Sequence, residues 1–176
     1  MKTFTKVALT ALTALATLAP NANAAWTNQH GIRFYEATDF DKAFGPIVER
    51  LENIGVPVVD GRGTNLCENE NVLGWYTGEK NFVVICYGDQ NLRAETLAHE
   101  AVHVAQDCRT GLNTTSLGER DNMGFIYEYL PAHKERLIVN NYDKSDWIIE
   151  AEAFYFEDEP AAVVAMLDQD CDAFRF

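Results

Sequence analysis

One segment constrains this chain more than any other: LRAETLAHEAVHVAQDC, residues 92–108. On a helix of about 100° per residue, Leu97, Ala101, Val104 and Cys108 line one side, and Thr96, His99, His103 and Gln106 line the other. The apolar stripe needs a partner layer, and the small apolar residues around the histidines predict a buried helix rather than a solvated one. Asn91 is placed to cap it and Gly111 to end it. His99 and His103 stand one turn apart, a spacing from which two imidazoles can reach one metal ion. Glu100 sits to the side of them, where it could take a proton from a metal-activated water without binding the metal.

The rest of the chain supplies a sheet and further helices. Upstream, DFDKAFGPIVERLENIG carries Phe40, Phe44, Ile47, Val48 and Leu51 at helical intervals and stops at Gly55. VPVVDGRG, NVLGWYTG and NFVVICYG are short β-rich runs, with TGEKN as a hairpin turn between the last two. Downstream, residues 110–125 read as a loop and AHKERLIVNNY as a short helix after Pro131. SDWIIEAEAFYFEDE reads as a long helix with Ser145 as its cap, and PAAVVAMLDQD as a helix from Pro160. Together these predict one α+β domain: a small antiparallel or mixed sheet packed on the histidine helix, followed by a helical C-terminal part.

The chain opens with a basic n-region (Lys2, Lys6), a short apolar run and PNANA, where Ala22 and Ala24 are the small residues expected before a cleavage point. Residues 1–24 therefore predict a signal peptide, leaving residues 25–176 as a single secreted or periplasmic domain with no membrane span. The formal net charge of -13 argues against nucleic acid as a partner. It identifies no other partner, and oligomeric state is left open. Four cysteines in an exported chain imply two disulfides. Cys67 and Cys86 flank the hairpin region, which favours Cys67–Cys86 and, by elimination, Cys108–Cys171.

HEAVH resembles the active-site motif of the zincin metallopeptidases, whose H-E-x-x-H helix packs against a small sheet. The resemblance covers about residues 70–160 in the order hairpin, helix, loop, second helix. It implies a zinc cofactor, His99 and His103 as ligands, Glu100 as general base, and an edge strand (GWYTG or NFVVIC) that holds an extended peptide or protein substrate. The metzincin continuation is absent, because its glycine and last histidine positions hold Gln106 and Arg109. His30 and His133 have no supporting context as a third ligand, and the cysteines are committed to disulfides. The gluzincin pattern remains, with a downstream glutamate. EAEA matches its E-x-x-A from Glu150, where Ala153 permits close helix approach; Glu152 is the alternative. The acid that many gluzincins place four residues further on is replaced by Phe154. HEAVHVAQDCR is also similar to the active helix of the mitochondrial metallopeptidases that assist ATP synthase assembly, a kinship of fold rather than of substrate. Tyr127, Tyr129, His133 and Tyr142 are open candidates for an oxyanion donor.

The sequence thus predicts an exported zinc metallopeptidase hydrolysing peptide bonds, with Glu100 catalytic and His99, His103 and Glu150 on the metal. Its rivals are another metal-dependent amide hydrolase and a non-catalytic binding module of the same fold.

Overall fold

The computed structural model describes residues 32–67, 72–111 and 128–172. Among them are four strands, β1 (Arg33–Phe34), β2 (Val58–Asp60), β3 (Gly74–Thr77) and β4 (Phe82–Ile85). Five helices accompany them, α1 (Gly45–Asn53), α2 (Gln90–Thr110), α3 (Ala132–Asn141), α4 (Trp147–Phe156) and α5 (Pro160–Cys171). The expected signal peptide, His30, Tyr127 and nearly all of the expected 110–125 loop lie outside the described residues.

The strands form one mixed sheet in the order β1-β2-β4-β3. β1 and β3 run antiparallel to their neighbours, while β2 and β4 are parallel, with Val59 opposite Val84. β1 was not legible beforehand: two residues are too few to show alternation. The order also makes β3, the GWYT strand, an edge and places β4 inside, so NFVVIC cannot offer a free edge.

Both sheet faces are covered, which explains why β4 is buried at every residue. Val58, Val83 and Ile85 meet the helices, together with Leu97, Val104, Val48 and Leu51. Val59, Phe82 and Val84 point the other way, under Phe34 and the turn at Asn65–Cys67. Burial of each such side chain is worth about 1.5–3 kcal/mol. Trp75 closes that second layer by donating from Nε1 to the Leu66 carbonyl at 3.0 Å. Two disulfides, Cys67–Cys86 and Cys108–Cys171, pin the second layer and join α2 to α5, as the cysteine positions predicted.

α2 lies at the centre, against β3, β4, α4 and α5. Gly74 lets β3 approach it closely, because a Cβ there would stand 2.5 Å from Thr96 Cγ2 and 2.7 Å from the Val84 carbonyl oxygen. Burial extends around most of the helix, so the polar side is largely enclosed too, with Thr96 and His99 buried, Gln106 fully so and His103 half-buried. Gly111 ends α2 in the left-handed conformation at φ 71°, as expected.

Three helix starts differ from the sequence reading. Asp89, not Asn91, caps α2, its carboxylate accepting from the Leu92 amide at 3.0 Å. α1 begins only at Gly45, followed by Pro46, whose fixed φ suits a first turn; Phe40 precedes it. Ser145 does not cap α4. Its hydroxyl instead donates to Asp146 Oδ1 at 2.9 Å, and α4 spans only ten residues.

Candidate metal centre

α2 and α4 bring His99, His103 and Glu150 together, each offering a donor atom, with all donors within 4.8 Å of one another. The carboxylate of Glu150 faces both rings: Oε2 lies 3.3 Å from His99 Nε2, and Oε1 lies 3.6 Å from His103 Nε2. Ligand atoms about 2.0–2.2 Å from one tetrahedral ion stand roughly 3.3–3.5 Å apart, so these separations suit a shared cation. Glu150 Oε2 is buried and makes no hydrogen bond of good geometry, despite the nearby ring. A buried carboxylate oxygen in that state calls for a cation.

The outer nitrogens of the rings are engaged as well. His99 Nδ1 hydrogen-bonds Glu157 Oε2 at 2.9 Å, and His103 Nδ1 hydrogen-bonds Gln106 Oε1 at 2.8 Å. Nδ1–H donation leaves each Nε2 turned toward Glu150, the nitrogen that would ligate a metal once it carries no proton. Lys134 reaches from α3 to Glu157 Oε1 at 2.9 Å, and also binds Asp158 and the Phe154 carbonyl. Phe154 packs edge-on against His99, with ring centroids 4.6 Å apart.

Charge in the site is concentrated and mostly enclosed. Burial pushes the Glu100 carboxyl up, with the two imidazoles opposing. Burial alone would also raise Glu150, but His103 and His99 outweigh it and hold its carboxyl below the usual range. For His99, burial favours the neutral ring, yet the facing carboxylates of Glu150 and Glu157 prevail and push it up to about 10. A proton held there is one that an incoming cation must displace.

Beside this group lies a cleft of about 450 Å³, lined by Tyr76, Gly78 and Glu79 of the β3 edge and turn and by His103, Asp107 and Glu150. Of the expected oxyanion donors that are described, Tyr142 reaches the site, donating to Glu150. Burial, then the charges of Glu150 and Glu100, push its phenol up. Tyr129 and His133 are exposed.

A family model covering a domain of unknown function, DUF8637, matches residues 46–172, which is most of the chain and includes every residue of this site. The chain belongs to the DUF8637 family. No curated protein and no solved structure matches it.

Within this DUF8637 domain the two glutamates of EAEA separate cleanly. Glu150 joins the histidines. Glu152, also buried, turns instead to Arg109 Nη1 at 3.3 Å and Gln106 Nε2 at 3.0 Å. Ala153 is fully buried in the main core, which permits the close approach of α4. The sequence reading missed Glu157, Lys134 and the role of Gln106. Two signals could have found the first and last: Glu157 follows Glu150 by two helical turns, and Gln106 follows His103 by three residues on the same face.

Proposed function

We propose that this protein is an exported, zinc-dependent peptidase of gluzincin type. The convergence of His99, His103 and Glu150, with buried Glu100 beside them, carries the reading. Zinc held there supplies Lewis acidity, polarising a carbonyl oxygen and making water a nucleophile near neutral pH. Glu100 accepts the proton of the attacking water and passes it to the leaving amine, a task suited to a carboxyl raised by burial. β3 presents its edge to the cleft, where an extended peptide can add as a further strand. Tyr142 holds Glu150 and stands near Glu100. Two disulfides support export.

The test is metal analysis of the purified protein with hydrolysis of a mixed peptide library, before and after chelation and zinc return. About one zinc per chain, with activity that follows zinc content, is expected. Stoichiometric zinc without any hydrolysis would instead indicate a metal-stapled binding module.

A further inference from the structure

His103 stands at one end of a chain of polar side chains that runs through Gln106, Glu152 and Arg109 to Asp170 on α5. Gln106 Oε1 meets His103 Nδ1 at 2.8 Å, while Gln106 Nε2 faces the Ile149 carbonyl and Glu152 Oε2, both at 3.0 Å. Those last two partners can only accept hydrogen bonds. Turning the amide over would set its oxygen against a carbonyl and a carboxylate, so the amide has one viable orientation. Its oxygen then faces Nδ1, which must carry the proton, and the Nε2 lone pair is left on the Glu150 side, free for a metal ion. Glu152 is held in turn by Arg109, which binds Asp170 through Nε at 3.1 Å and Nη2 at 2.7 Å. Arg109 follows Cys108, and Asp170 precedes Cys171, so the disulfide joins α2 to α5 beside this ion pair.

We infer that Gln106 and Glu152 are positioning residues that fix His103 as an Nε2 metal donor, anchored through Arg109 to Asp170 on α5. Their burial favours this role over packing. Gln106 is 0 % exposed and Glu152 2 %, and apolar residues of similar volume would fill the same space without the desolvation cost. The chain is also complete: each member meets the next, and its end is a ring facing Glu150. Glu152, the alternative third ligand in the sequence, thus acts on the site two side chains away.

This inference rests on the metal-site reading, and the experiment separates the two. Zinc affinity is measured by chelator competition for the wild type, Gln106→Leu, Gln106→Glu and the swap Gln106→Glu/Glu152→Gln. The ligating histidine nitrogens are read by nitrogen-15 NMR of the zinc-loaded wild type. Gln106→Leu should weaken zinc by about 10- to 100-fold, the loss typical when such a partner is removed. Gln106→Glu should also weaken it, because two carboxylates would then face each other. The swap restores an amide opposite a carboxylate but leaves an oxygen facing the Ile149 carbonyl, so affinity should recover in part, to a value clearly above that of Gln106→Glu alone, as expected of coupled neighbours. The NMR spectrum should show His103 bound through Nε2 and protonated at Nδ1. Coordination through Nδ1, or wild-type affinity in a folded Gln106→Leu, overturns the inference. If Gln106→Leu does not fold, the swap decides: no recovery relative to Gln106→Glu overturns it too. A wild type that binds no zinc refutes the metal site itself.

Discussion

Glu157 accepts from His99 Nδ1 at 2.9 Å, seven residues beyond Glu150, so α4 and the residue that caps its end supply both a candidate ligand and the carboxylate that orients another. Phe154 occupies the nearer position and packs on the same ring. Glu157→Gln should leave the fold intact and weaken zinc binding by about 10- to 100-fold in chelator competition. Lys134→Met should act in the same direction, because it strips Glu157 and Asp158 of their shared cation. Unchanged affinity in both variants would show that the contact does not support the site.

His99→Ala, His103→Ala and Glu150→Ala should each lose most bound zinc. The expected result is a metal content well below one per chain after dialysis. Full occupancy in any of the three would remove that residue from the ligand set.

The two disulfides should differ in worth. Cys108–Cys171 spans 63 residues and Cys67–Cys86 spans 19. In the chain-entropy account these loops are worth about 4 and about 3 kcal/mol respectively. Paired serine substitutions compared by denaturant unfolding give the order, and a larger loss from the shorter loop would show that local packing outweighs loop length.

Much of this was legible in the sequence because the signals are local. The histidine helix, its end at Gly111, the GWYT–FVVI hairpin and both cysteine pairs follow from periodicity, turn residues and count. What escaped depends on tertiary packing. β1 is too short for a pattern to show. Asp89 outcompetes Asn91 as cap because its carboxylate reaches the Leu92 amide. The choice between Glu150 and Glu152 turned on helix phase, and it resolves in space only because Arg109 gives Glu152 a buried partner of its own. Lys134 comes from α3, at a distance in sequence that no helical period relates to His99.

Asp60 offers a pH test away from the site. Burial would raise its carboxyl, but two Arg62 side-chain bonds, at 2.8 Å and 2.5 Å, outweigh this and lower it. A lowered folded-state value means stability that is present above the unfolded carboxyl range and lost as pH falls through the folded value. Arg62 is 39 % exposed, so solvent screening keeps the worth of the pair modest. Asp60→Asn should cost about 1 kcal/mol near neutral pH. Below about pH 4 the difference from wild type should shrink in thermal melts. A loss independent of pH would assign the effect to packing rather than charge.

In the proposed mechanism Glu100 does the chemistry while the histidines and Glu150 hold the metal. Glu100 is buried beside both rings, and an amide of the same volume keeps its packing. The most direct measurement is the peptide hydrolysis rate of Glu100→Gln at matched zinc content. Zinc occupancy and melting temperature should stay near wild type, while the rate falls by about 10²–10⁴. Hydrolysis at the wild-type rate in a zinc-loaded Glu100→Gln protein would contradict the account.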